Sequence, residues 1–339
     1  MITRRALGLT GVAALALSAC GKGQNDGVSG PGEVNFSVLS GAPPQALAPV
    51  WQPILAYMAA QTGLKVRPFF SGNYGLLVER MKARKTDVGW FSNLSGLAAV
   101  RRANGEVFAR TYEASGADGY TALLLVNARS KLTLDKVLKC DRTLSLGLGD
   151  PLSTSGTLAP MAYLFAPHGV RPDACFKRVV AGASHQDNLA SVAAGRLDVA
   201  TASSISLQRD RQKGGHQADQ VRSIWVSPLL PEDPLIWRKD LDPAVKETLR
   251  QFFLTYGQAN TPAGALQRQR LAAVNIGGFK PADDNHLLPI REMEASEAFE
   301  VAKRGGDAAR IAEARRSLDA IVTEREALEA RTRASAATQ

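Results

Sequence analysis

The chain has 339 residues, of which 45% are hydrophobic and 22% charged, with 41 Lys+Arg against 32 Asp+Glu for a formal net charge of +9. Those fractions describe a globular protein with room for two domains, and they exclude a disordered or low-complexity chain. The basic residues are interleaved with acidic ones and no nucleic-acid-binding motif accompanies them, so the expected partner is not nucleic acid but an anionic small molecule or an anionic membrane face.

The first residues read as an export signal. Arg4 and Arg5 form a basic start, residues 6–16 an apolar run, and Leu17-Ser18-Ala19-Cys20 a cleavage context of small residues. That ending is a bacterial lipobox, which makes residues 1–19 a leader and Cys20 the lipidated first residue of an extracytoplasmic, membrane-tethered protein. The apolar run is too short to span a bilayer. Residues 20–33, rich in Gly, Lys, Asn and Asp, read as a flexible tether.

From residue 34 the pattern alternates strand and helix. Strands are expected at 34–39, 65–70, 87–91, 107–112 and 120–126, and helices at 44–62, 75–83 and 94–103. The helix over 44–62 carries Leu47, Val50, Ile54 and Met58 on one stripe. Further strands are expected at 144–148, 177–180, 198–201 and 224–227, with helices at 158–166 and 188–194. Such alternation implies an α/β class with mostly parallel sheets. Its two halves divide as a discontinuous first lobe, 34–126 plus 227–290, and a second lobe, 127–226.

Cys140 and Cys175 precede the apolar runs 144–148 and 176–180, at the N-terminal entrances of two strands. If those strands are parallel neighbours, the sulfurs meet in a structural disulfide, permitted outside the cytoplasm; otherwise they are two separate buried thiols. From 308 to 333 there is no Gly or Pro, and Ile311, Ala314, Leu318, Ile321 and Leu328 recur at three- and four-residue steps. This C-terminal helical tail, residues 291–339, either packs its stripe onto its own body or pairs with a second copy in a homodimer.

Gly149-Asp150-Pro151-Leu152-Ser153-Thr154-Ser155-Gly156-Thr157 follows a strand and opens a helix, with Pro160 placed in the first turn. A helix start leaves N–H groups unpaired and carries partial positive charge, and three hydroxyls there can add O–H donors. This is a site for a tetrahedral oxyanion without a fixed cation, beyond the single hydroxyl an N-cap needs.

The segments Asp87-Val88-Gly89-Trp90-Phe91-Ser92-Asn93-Leu94-Ser95, Gly149 to Gly156, LLPEDPLIWRKD at 229–240 and Pro289-Ile290-Arg291 occur in the order of a known family. Through them the chain resembles the phosphonate-binding component of ABC importers, the PhnD type. The resemblance implies a two-lobed periplasmic-binding-protein fold of type 2, with phosphonate, phosphite or phosphate held between the lobes and delivered to an ABC permease.

It further implies that Ser153, Thr154 and Ser155 donate to the phosphorus oxygens, joined by the Tyr74 and Tyr120 phenols and by His185. Asp233 would face the organic end of the ligand. Ile205 stands where family members that bind aminoethylphosphonate carry a second carboxylate, which implies weaker recognition of aminoalkyl ligands. No clamping arginine is expected among the ligand-binding groups.

An enzyme is not expected. The four histidines, His168, His185, His216 and His286, form no metal-binding pattern, and neither a nucleophile elbow nor a phosphate-binding P-loop is present, so no cofactor is called for. A ligand sensor for a membrane receptor would use the same two-lobed clamp and is the alternative to transport.

Overall fold

The computed structural model describes Gly30, residues 32–39 and residues 44–337. The expected leader and Cys20 lie outside the described residues. The chain opens with β1 (Glu33–Leu39), α1 (Pro44–Thr62), β2 (Lys65–Ser71), α2 (Tyr74–Lys82), β3 (Val88–Trp90), α3 (Asn93–Arg102) and β4 (Gly105–Glu113). A short β5 (Gly119–Tyr120) leads to β6 (Ala122–Asn127), α4 (Leu134–Val137), β7 (Ser145–Gly147) and two π-helical stretches, Thr154–Leu158 and Met161–Phe165. Then come α5 (Pro172–Cys175), β8 (Arg178–Val180), α6 (His185–Ala193), β9 (Val199–Ser203), α7 (Ser204–Gln212) and β10 (Val221–Val226). The chain returns through β11 (Leu230–Pro231) to β12 (Pro234–Arg238), α8 (Pro243–Thr255), α9 (Pro262–Ala272) and β13 (Ile276–Pro281). It ends in α10 (Leu288–Gly305) and α11 (Ala308–Ala337).

Two sheets define two lobes. The first has strand order β13-β4-β12-β3-β1-β2 and the second β10-β6-β9-β7-β8, while β5 and β11 pair with each other between them. The first sheet draws its strands from two separate stretches of the chain, β1 to β4 and β12 to β13. The strand Ala122–Asn127 is not part of it: β6 pairs antiparallel with β9 and β10 in the second sheet. Its run of buried apolar residues suits the middle of either sheet, so residue pattern alone did not assign it.

The sheets are also mixed rather than mostly parallel. Pairs β1–β2, β1–β3, β7–β8 and β7–β9 are parallel, but β12 lies antiparallel to β3 and β4, and β6 antiparallel to β9 and β10. The reason is the double crossing. Each sheet receives one strand arriving from the other lobe, β6 and β12, against the direction of its neighbours, and β13 adds an antiparallel edge strand beside β4.

Strand β1 shows how sequence builds the core. Val34, Phe36 and Val38 alternate onto one face and pack with Leu47, Trp51, Ile54 and Met58 of α1, all nearly inaccessible. The same cluster includes Phe108, Trp237 and Phe253, and the Phe108 and Trp237 rings stack 4.0 Å apart. Burial of each such side chain stabilises by about 1.5–3 kcal/mol.

The helix after the Gly149–Thr157 turn begins at Thr154, four residues before its apolar pattern does, so Pro160 falls inside it rather than in its first turn. Proline lacks the N–H for a four-residue bond, and wider five-residue bonds flank it: Leu158 N–H to Ser153 O and Ala166 N–H to Met161 O.

Cys140 and Cys175 are bonded, with a sulfur–sulfur distance of 2.07 Å, at the edge where the parallel strands β7 and β8 begin. Helix α10 buries Leu288, Ile290 and Met293 in the first lobe and reaches the second, where Arg304 Nη1 donates to Ala166 O at 2.8 Å. Helix α11 folds back along it, tied by Arg325–Glu292 at 2.6 Å and Arg291–Glu324 at 2.9 Å. The stripe Ile311, Ala314, Leu318, Ile321 and Leu328 is half-buried in this hairpin, so packing on the chain's own body accounts for it.

Candidate functional site

Between the lobes lies a cavity of about 50 Å³. By that measure a water-sized group needs about 10–15 Å³, so the space suits a tetrahedral centre with a few substituents. Tyr74, Tyr120, Ser153, Thr154, Ser155, His185 and Asp233 all line it. Every site residue expected from the sequence is therefore brought to one place, although they come from both lobes and span about half the chain.

The arrangement follows from where helices begin. Tyr74 and His185 are the first residues of α2 and α6, and Ser92, Ser153 and Ser203 cap α3, the π-helical segment and α7. All five line the cavity, so five helix starts converge on it. Each contributes unpaired N–H groups and the positive end of a dipole, a field that favours an anion. Ser92, Ser153 and Ser203 each accept an N–H from their own helix, which leaves the hydroxyl hydrogens of Ser153 and Ser203 free to donate, whereas that of Ser92 is given to Leu152 O.

The Gly149–Thr157 turn is built for close approach. A Cβ on Gly149 would lie 2.8 Å from Gly156 Cα, and one on Gly156 would lie 2.8 Å from Ser153 Oγ, so only glycine allows the loop to fold onto itself. Asp150 shapes it by accepting from Leu152 N at 2.8 Å. The turn also ties the lobes together: Leu94 N donates to Thr154 Oγ1 at 2.9 Å and Ser92 Oγ to Leu152 O at 3.1 Å. Ser155 Oγ lies 3.2 Å from His185 Nε2, and His185 Nδ1 is buried without a partner.

Burial dominates the electrostatics. It holds both phenols, Tyr74 beside Ser153 and Tyr120 beside Ser155, well above the ordinary tyrosine range, so they are neutral donors. Burial and then the Glu232 charge push Asp233 well above the usual carboxylate range; its Oδ1 accepts from Asn93 Nδ2 at 3.3 Å. Burial also lowers His185 to about 4, so the imidazole is neutral at pH 7.

The structure corrects one expectation outright. Arg209 of α7 lines the cavity, so the site does contain a fixed cation. It sits one helical turn after Ile205, which also lines the wall. A four-residue step from a residue already assigned to the pocket was the available signal. Trp90, Ser92 and Ser203 were likewise missed, and the two serines repeat the strand-then-serine-cap pattern visible at Ser153.

Behind the cavity, His286 Nε2 donates to Glu232 O at 2.7 Å, and Thr111 Oγ1 donates to Glu232 Oε2 at 3.1 Å. Burial lowers His286 to about 4 and raises Glu232 to about 7. As pH falls from 6.5 towards 4, the unfolded chain takes up protons that His185 and His286 refuse when folded, so stability drops. Glu232 acts oppositely: its contribution is full below 4.5 and lost as pH rises through about 7. Asp233, also held well above its usual range, acts in the same direction as Glu232, so two carboxyls oppose two histidines between pH 5 and pH 7. Urea melts at the two pH values separate them: in His286→Gln the stability at pH 7 minus that at pH 5 should fall by about 1–2 kcal/mol relative to the wild type.

A two-lobed α/β clamp closed over a small cavity, with strands crossing twice between the lobes, defines a solute-binding protein. The chain belongs to the family of periplasmic substrate-binding proteins of phosphonate ABC transporters, whose family model matches residues 36–287. It is 37% identical over 261 residues to the phosphonates-binding periplasmic protein of Escherichia coli K12, covering 77% of this chain and 75% of that one. The binding protein of an ABC phosphonate transporter from Pseudomonas aeruginosa superposes with a TM-score of 0.80 at 37% identity, over 89% of this chain and 98% of that one. PhnD1 from Prochlorococcus marinus, in complex with methylphosphonate, shares the fold with a TM-score of 0.68 at 20% identity, over 78% and 97% of the two chains. These relatives are transport proteins, not enzymes, and the family is extracytoplasmic.

Proposed function

We propose that this protein captures a small phosphorus oxyanion that lacks an ammonium group, such as methylphosphonate, phosphite or phosphate, and presents it to an ABC permease. The observation that carries the reading is the convergence of five helix starts, with hydroxyl and phenol donors, on one closed cavity. Ser153, Thr154 and Ser155 donate from the second lobe, Tyr74 and Tyr120 from the strand ends at the first lobe and the crossing, and His185 from α6. Asp233 and Ile205 close the organic end. Methylphosphonate is the ligand held by the Prochlorococcus marinus protein.

Four to six charge-assisted bonds at about 1.5–3 kcal/mol each, less the cost of ordering and association, suit affinity of about −8 to −12 kcal/mol. The proposed hinge is the paired crossing at β5 and β11, whose opening releases the ligand. Calorimetric titration of the chain from residue 21 onward with methylphosphonate, phosphite, phosphate, aminoethylphosphonate and sulfate tests the reading. Tight binding of a phosphorus ligand without an ammonium is expected; preference for aminoethylphosphonate would sink the ligand assignment, and no binding at all the phosphonate reading.

We also propose that Cys20 carries a lipid anchor, supported by the lipobox that precedes it. Radiolabelled fatty acid should enter the full-length protein and not a Cys20→Ser variant; equal labelling, or none in either, would remove the anchor.

A further inference from the structure

Arg209 is a half-buried cation that makes no ion pair, with Asp233 and Glu232 acting on its charge only from beyond ion-pair distance. Its Nη2 donates to Val274 O at 3.1 Å, while Nε is shut off from solvent and has no acceptor. Among the described residues no carboxylate comes within ion-pair distance of it. Trp90 lies over one side, with its ring centre 6.0 Å from the guanidinium carbon, and the Trp90 indole N–H is itself buried and unpartnered. Both side chains line the interlobe cavity, next to Ile205.

A guanidinium keeps its proton in a protein, so this charge stays fixed inside a small, enclosed space. Asp233 offsets it poorly, because burial and the neighbouring Glu232 hold that carboxyl well above its usual range. Ile205 offers neither charge nor hydrogen bonds. The Arg209 charge also acts on Tyr74 and His185, so it is felt across the whole of the small cavity.

We infer that Arg209 is the specificity-determining residue of this site: its guanidinium and the Trp90 N–H select ligands of net negative charge and reject zwitterions of the same shape. The inference rests on the phosphonate reading above. It adds that charge in this cavity, and not size, decides between ligands. An ammonium brought beside a half-buried guanidinium meets like-charge repulsion that water screens only in part, whereas a second negative charge completes the pairing that Arg209 lacks.

The test compares ethylphosphonate with aminomethylphosphonate, which differ by a methyl against an ammonium group, by calorimetry on the wild-type chain, Arg209→Gln and Arg209→Lys. The wild type should favour ethylphosphonate by about 30-fold or more. Arg209→Gln should shrink that ratio to about threefold or less, and Arg209→Lys should keep most of it. An unchanged ratio in Arg209→Gln, or a wild type that prefers the zwitterion, overturns the inference while leaving phosphonate binding intact. Binding of neither ligand by the wild type overturns both. Should Arg209→Gln fail to fold, Trp90→Phe serves instead: it keeps the ring beside the guanidinium and removes the indole N–H, and a fall of about threefold or more in the ratio is expected, with an unchanged ratio counting against the inference.

Discussion

Replacing Ser153, Thr154 and Ser155 together by alanine is expected to raise the dissociation constant for the bound oxyanion by more than about 10³-fold. Each hydroxyl removed takes away a hydrogen bond to a charged group, about 1.5–3 kcal/mol apiece. The three do not act alike. Ser153 Oγ also accepts from Gly156 N at 3.0 Å, so its loss weakens the helix start by about 1 kcal/mol, and Thr154 Oγ1 bonds Leu94 N across the lobes. Ser155, facing His185, has the least structural duty. The single Ser155→Ala change should therefore cost about 10- to 150-fold in affinity with almost no shift in melting temperature. Titration calorimetry paired with thermal melts separates the two effects. Affinity within tenfold of wild type in the triple variant would falsify the role assigned to this turn.

The second large effect concerns stability. Reducing the Cys140–Cys175 bond, or replacing both residues by serine, frees a loop of 35 residues. In the chain-entropy account that loop is worth about 4 kcal/mol. For a lobe of about 100 residues, at about 4–8 °C per kcal/mol, the loss should lower the melting temperature by about 15–30 °C. Ligand affinity should change less than about threefold, because the bond sits where β7 and β8 begin, whereas the cavity lies at the carboxyl ends of the strands. Calorimetric scans with and without reductant measure the shift; a shift below about 2 °C would mean that the disulfide constrains little, and a large affinity loss that the two ends of the lobe are coupled.

Much of the molecule was legible before any coordinates. The helix over 44–62 has the bounds expected of it because an apolar stripe at helical spacing is a local property. The serine-rich turn was recognisable because glycine, proline and hydroxyl residues have strong local preferences, and the residues proposed for the site, which line the cavity, came from motifs carried in order along the chain. What resisted reading was nonlocal. Arg209 lies on a helix whose composition is mostly polar and charged, and only the closing of one lobe on the other turns that side chain into a cavity wall. The strand Ala122–Asn127 reads the same in either sheet until its partners are known.

The sequence by itself determined the α/β class and the hydroxyl-lined turn, because each depends on residues close together in the chain. The tertiary structure decided how distant segments divide between two lobes, which strands cross between them, that Cys140 and Cys175 meet, that the tail stripe packs along α10, and that a half-buried cation stands in the cavity. Those outcomes depend on the packing of distant segments, where the same local pattern fits several neighbours and only the complete set of buried contacts selects one.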